Sequence, residues 1–268
     1  TIYGAFAGTE DSLDQRDIKT NVTILSGEIG TINDNSDNSH TVVKLSSNST
    51  ATLDGFTIQD GNNTRTDDNS DDGGGVYNAG NLTLKNVVVR DNKAADDGGG
   101  IRNNGTITII DSTIADNESV GTSDTSGGGG LINTGTSATI INSTFSGNTA
   151  KNGGAIRNDT ILNLINSTLS GNAATFSGGG LSNTISLDTL FSSLFIELSS
   201  KNFTPSDISG TAQATITNST ITDNTAQATS GSGIANFAKL NVTNSIVAGN
   251  ANNDEIAHNF PSQIISQF

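Results

Sequence analysis

Four carboxylates are the first residues in this chain whose placement could do chemistry. Asp71 and Asp72 stand immediately before Gly73, and Asp96 and Asp97 stand immediately before Gly98. If the two glycine runs lie side by side, the four carboxylates meet within a few ångströms. That arrangement is costly unless protons or a cation offset the repulsion. Hard oxygen ligands of this kind suit Ca²⁺, so the two pairs are a candidate calcium site, and no other cofactor is expected. The later corners carry Ser126, Asn152 and Ser177 in the same slot, which confines the site to the first two.

Arg102 and Arg157 form a second candidate, because both directly follow a glycine corner and an isoleucine. The plainer reading is a solvated arginine that pairs with neighbouring acids; for Arg102 these are Asp96, Asp97 and Asp111. Histidine gives little support for catalysis, with His40 in a polar stretch and His258 near the C-terminus. Cysteine is absent, so disulfides and thiolate metal sites are excluded. Outward carboxylate pairs on adjacent strands could have glycosidase spacing, but nothing singles one pair out.

The elements that would position these groups are set by a repeat. Asn92, Asn117, Asn148, Asn172, Asn224 and Asn250 close successive units, with Gly61 in the same slot earlier. Three residues before each stands an apolar side chain: Ile58, Val89, Ile114, Phe145, Leu169, Ile221 and Val247. Six before the asparagines, Asn86, Asp111, Asn142, Asn166, Asn218 and Asn244 recur as turn residues. Eight and ten before lies an apolar pair with a polar residue between its members, as in Leu82-Thr83-Leu84 and Ile107-Thr108-Ile109. Glycine runs at 73–75, 98–100, 128–130 and 178–180 open the units.

Each unit therefore reads as three very short alternating strands joined by Gly, Asn and Ser corners. No two-residue hairpin turn separates them, so each strand must pair in parallel with its copy in the next unit, about 4.8 Å away. Stacked asparagines can hydrogen-bond along the column and satisfy corner amides. The expected fold is all-β: a right-handed parallel β-helix of about eight coils. The threonine column Thr83, Thr108, Thr139 and Thr215 is broken by Asn163 and Asn241, and reads as a β-preferring ladder rather than an ice-binding array.

Phe145-x-x-Asn148 followed by Gly153-Gly154-Ala155-Ile156 resembles the paired signature of the chlamydial polymorphic outer-membrane proteins. The opening residues 3–10, with Gln15-Arg16-Asp17 and Ile24-Leu25-Ser26-Gly27, are similar to the start of large bacterial secreted β-helix surface proteins. The resemblance implies an adhesin, passenger domain or surface-structure component at a bacterial cell surface. Some related helices, of the pectate-lyase-like type, are polysaccharide enzymes. In those, an arginine with bound Ca²⁺ carries β-elimination, which would fall to Arg102 or Arg157 here.

Charge and composition narrow the partners. A net charge of −15 on 268 residues argues against nucleic acid and against anionic membranes. No apolar run is long enough to span a bilayer as a helix. The chain has no methionine, which marks it as a processed or excised piece, and Thr1 enters mid-strand. Sequons at Asn142, Asn166 and Asn218 coincide with repeat corners and read as corners, not as sugar sites.

The organisation expected is a single domain, 1–268. It comprises opening coils with long acidic loops (1–61), regular coils (62–183), an insertion (184–213), and last coils with a C-terminal segment (214–268). In the insertion, Leu187, Leu190, Phe191, Leu194, Phe195 and Leu198 fall on one helical face, predicting an amphipathic helix near 187–199, with an irregular extra coil as the alternative. Its Leu190, Phe191, Leu194 and Phe195 are a candidate interaction element. Tyr3, Phe6, Ile264 and Phe268 are candidates at the two ends of the stack, where open coils would expose strand edges. The functional expectation is a non-catalytic extracellular structural or adhesive solenoid, joined head to tail to itself or to other cell-surface components. The alternative is a polysaccharide-active lyase or hydrolase.

Overall fold

The computed structural model describes residues 1–32, 34–64, 73–184, 212–227, 230–251, 255–258 and 263–267. Every strand pairing among them is parallel, and each strand bonds to its copy one coil away. The five-residue strands Thr50–Asp54, Asn81–Lys85, Thr106–Ile110, Ser137–Ile141, Ile161–Ile165, Gln213–Thr217 and Lys239–Thr243 build one face. Ile2–Tyr3 and Gln263–Gln267 complete it as a nine-stranded sheet. A second sheet of eight strands runs from Thr23–Ser26 to Ile246–Val247, and a third of eight from Val43–Leu45 to Ile256–His258. The chain is a parallel β-helix.

A coil holds four strand positions where the sequence predicts three. The additional five-stranded sheet consists of Asn62–Asn63, Lys93–Ala94, Glu118–Ser119, Thr149–Asn152 and Ala173–Ser177. Three of its strands are two residues long, too short for alternation to reveal them. In the opening coil the second strand is Thr23–Ser26, and Ile29 lies outside any strand. The predicted helix near 187–199 lies outside the described residues.

The core follows from the register. Leu82, Ile107, Ala138, Leu162, Ala214 and Leu240 stack in one column, and Leu84, Ile109, Ile140, Leu164 and Ile216 in the next. All of these are 0 or 1% exposed. Across the bore stand Ile58, Val89, Ile114, Phe145, Leu169 and Ile221, each 0% exposed. The one phenylalanine of that column shares its coil with the small Ala138, which keeps the filled volume of the coil even.

The corners need unusual backbone. Asn86, Asp111, Asn142, Asn166, Asn218 and Asn244 have φ of +46 to +51°, the left-handed region that asparagine and aspartate tolerate best. Gly128 has φ of +70°, and a Cβ on the neighbouring Gly129 would meet Thr149 O at 2.4 Å and Gly154 O at 2.5 Å. Successive coils approach too closely there for any side chain.

Candidate functional site

The glycine corner turns the chain from the shortest strand into the strand Ile101–Asn103 and places Asp96, Asp97 and Arg102 together. Asp97 Oδ2 accepts from Arg102 Nη1 at 3.0 Å, and Asp97 Oδ1 accepts from the Gly127 N–H at 3.0 Å in the next coil. Asp96 Oδ1 accepts from the Ser126 hydroxyl. Both oxygens of Asp97 are therefore committed to protein donors. Burial pushes the Asp97 carboxyl up to about 6, against the opposing pull of Arg102 and Arg157, and Asp96 adds to the rise. Asp71 and Asp72 lie outside the described residues, so the structure places two of the four carboxylates. No group of three or more His, Asp or Glu side chains set to hold a metal occurs among the described residues.

Arg102 pairs in register with Ile132, Ile132 with Arg157, and Arg157 with Ser182. The two arginines thus lie on the same outer row, two rungs apart. Arg157 is 8% exposed and grips Asp159 with both arms of its fork, Nε to Oδ1 at 3.0 Å and Nη2 to Oδ2 at 2.9 Å. Thr184 Oγ1 donates to Asp159 Oδ1 at 2.5 Å. Arg157 Nη1 and Ser182 Oγ have no hydrogen-bond partner. This row is a set of ion-paired arginines.

The remaining polar investment is inside. Asn92, Asn117, Asn148, Asn172, Asn224 and Asn250 form one buried row, each Nδ2 donating to the next Oδ1 at 2.9–3.0 Å. A second buried row, Asn78, Asn103, Asn133, Asn158, Asn183 and Asn236, has links of 2.7–2.8 Å. Sequence reasoning missed this row, although its signal is present: an asparagine two residues after the apolar residue that follows each glycine run. It also missed a serine row: the Ser112 hydroxyl accepts the Val87 N–H at 3.0 Å, and the hydroxyls of Ser143, Ser167, Ser219 and Ser245 each accept the backbone N–H of the preceding coil's serine at 3.1 Å. The corner residues stack outside the core instead. There Asn142 donates to Asp111 at 3.1 Å, Asn166 to Asn142 at 3.3 Å, Asn244 to Asn218 at 2.7 Å and Asn86 to Asp54 at 2.8 Å.

The threonine column assembles as Thr52, Thr83, Thr108 and Thr139, then Asn163, Thr215 and Asn241. At the first coil Tyr3 and Phe6 are partly exposed, and the Arg16 guanidinium sits 4.8 Å and 5.7 Å from their ring centres. Arg16 also bonds Asp54 Oδ2 at 3.2 Å, which pins the acidic loop onto the second coil. Ile264 belongs to the strand that pairs with Lys239–Thr243. Leu190, Phe191, Leu194, Phe195 and Phe268 lie outside the described residues. An open groove of about 560 Å³ lies beneath Ile18, Lys19 and Val22, with Thr57, Val88 and Asp111 along it. None of Asp97, Arg102 or Arg157 lines it.

The short motif that first signalled the coil has a counterpart in known proteins. Residues 142–159 match the Chlamydia polymorphic membrane protein repeat. The match takes in Phe145, Asn148 and Asn158, and so contributes one member to each buried asparagine row. No curated protein and no solved structure matches the chain.

Proposed function

We propose that this chain is a non-catalytic, extracellular structural or adhesive β-solenoid of a bacterial cell surface, wound right-handed as parallel crossovers almost always are. The observation that carries this reading is the pair of buried asparagine rows. They continue from coil to coil, while the outer arginines Arg102 and Arg157 are held by Asp97 and Asp159. The chain's polar chemistry is spent on stacking. The repeat match at residues 142–159 supports a surface location.

Assembly end to end is part of the proposal. The edges of Ile2–Tyr3, Thr23–Ser26 and Val43–Leu45 are bonded on one side only among the described residues. Ile2, Tyr3, Phe6, Val22 and Ile24 are exposed beside them. Whatever mates there must offer parallel strands, from the same polypeptide or from a second copy, and a head-to-tail contact of copies propagates. Sedimentation velocity and electron microscopy of the natively processed protein test this. Linear oligomers that grow with concentration are expected, and a strictly monomeric species at high concentration would refute the assembly.

A second reading, a polysaccharide-active enzyme, draws on Arg157 Nη1, which has no hydrogen-bond partner and whose charge reaches the raised Asp97 carboxyl, and on the equally unpartnered Ser182 Oγ one rung beyond Arg157. Incubation with polygalacturonate and other acidic glycans separates the two. New reducing or unsaturated ends would establish the enzyme, whereas glycan retention without cleavage fits the adhesive solenoid.

A further inference from the structure

Three oxygens sealed from solvent without a hydrogen-bond partner lie in the first-coil loop and in the strand Asn62–Asn63 that it bonds to: Asp37 Oδ1, Asn38 Oδ1 and Asn62 Oδ1. The loop closes where the Ser39 N–H donates to Gly27 O at 2.8 Å, and Asn62 joins it through its own N–H to Ser39 O at 2.9 Å. Asn38 Nδ2 donates to Asp60 O at 2.9 Å, and Asn62 Nδ2 to Asn35 O at 2.5 Å. Those bonds decide how each amide is turned. The nitrogen is spent on a carbonyl, and the oxygen is the atom left over.

Asp37 repeats the pattern. Its Oδ2 accepts the Thr31 N–H at 2.8 Å, and Oδ1 is the surplus. Asn38 is only 6% exposed, so water does not reach it freely. Buried acceptors without donors are destabilising. The sequence offers little relief, since Lys44 is the only Lys or Arg between Asn21 and Thr64. The Lys44 ammonium lies over the Tyr77 ring, 5.0 Å from its centre. Glu28 adds a carboxylate on the residue directly after the Gly27–Ser39 contact.

We propose that Asp37, Asn38 and Asn62, with the Glu28 carboxylate, form a Ca²⁺ site that ties the first-coil loop to the second coil. The donor set is carboxylate and amide oxygen alone. That is what Ca²⁺ takes, with waters completing six to eight ligands. Thiolate and imidazole, which favour transition metals, are absent from the set. The site is distinct from the carboxylates of the glycine corners.

Ca²⁺ titrated into the chelator-treated whole chain, followed by calorimetry and by melting temperature, tests the site, with Mg²⁺ as the comparison ion. One Ca²⁺ per chain is expected, with Kd of about 0.1–1 mM, the range of extracellular modules. Asp37→Asn keeps the shape and removes a charge, and is expected to weaken binding about tenfold or more. Asn62→Asp adds a charge and is expected to tighten it, a sign that misfolding does not mimic. A variant carrying both Asp96→Asn and Asp97→Asn is expected to bind Ca²⁺ as the parent does. No binding at several millimolar Ca²⁺ would overturn the proposal. So would binding that both loop variants leave unchanged, or Mg²⁺ binding of equal strength.

Discussion

Replacing Asn148 by alanine is the sharpest perturbation this fold offers. Asn148 Oδ1 accepts the Asn117 backbone N–H at 3.1 Å and Asn117 Nδ2 at 3.0 Å. Its Nδ2 donates to Ile114 O at 2.9 Å and Asn172 Oδ1 at 2.9 Å. Truncation removes all four bonds from a residue that is 0% exposed. Asn117 Nδ2 keeps Val89 O and Ala115 O, but its backbone N–H is left without an acceptor. One orphaned buried donor costs about 1–3 kcal/mol, and three further bonds cost about 0.5–1.5 kcal/mol each, so the loss is about 3–7 kcal/mol. Asn142→Gly is the matched control six residues earlier. Asn142 is exposed, its φ of +51° suits glycine, and the change should stay within about 0.5 kcal/mol. Urea denaturation followed by circular dichroism measures both. Equal costs for the two variants, or a loss under about 1 kcal/mol for Asn148→Ala, would refute the claim that the interior row holds the coils together.

Three further substitutions probe the corners. The Asp97 carboxyl, raised from 3.8 to about 6, binds its proton more tightly in the folded state. Its penalty is absent below about pH 4 and complete above about pH 6, reaching about 3 kcal/mol by linkage. Asp97→Asn should therefore flatten the fall in stability between pH 4 and 6, and identical pH profiles for variant and parent would contradict this. Gly129→Ala sets a Cβ against two backbone oxygens at 2.4 and 2.5 Å and should cost about 2 kcal/mol or more. Gly171→Ala, with nothing within 4 Å and a φ of +65°, should cost about 1–2 kcal/mol of backbone strain alone. Thermal melts of the two rank them.

The bore of the helix was readable because its rule is short-ranged. An apolar residue three positions before each closing asparagine is what a turn of fixed length demands, and Ile58, Val89, Ile114 and Phe145 are all sealed. The corner residues were readable for the same reason: left-handed backbone selects Asn and Asp, and the selection repeats. The fourth strand position carries no such mark. Lys93–Ala94 and Glu118–Ser119 share no residue type, because two residues bonded only through their backbone need none. The second asparagine row stands just after the glycine runs, whose stronger repeat overshadows it.

The outer groups were less legible. Arg102 and Arg157 occupy equivalent slots, yet one bonds an aspartate five residues earlier and the other an aspartate two residues later. The Asp37, Asn38 and Asn62 cluster depends on a loop meeting the following coil across more than twenty residues, and no spacing rule anticipates that contact.

Both interior asparagine rows point the same way. Every link runs from an Nδ2 to the Oδ1 of a later residue, from Asn92 to Asn250 and from Asn78 to Asn236. The amide dipoles therefore add head to tail, and each row carries partial negative charge at its early end and partial positive charge at its late end, much as a helix does. Glu255 answers this: its Oε2 accepts from Asn250 Nδ2 at 2.5 Å, placing an anion at the positive terminus. The solenoid is thus electrically directional along its axis. At the early end of the first row the Gly61 N–H donates to Asn92 Oδ1 at 2.9 Å, so the row is closed by a donor at one end and an acceptor at the other.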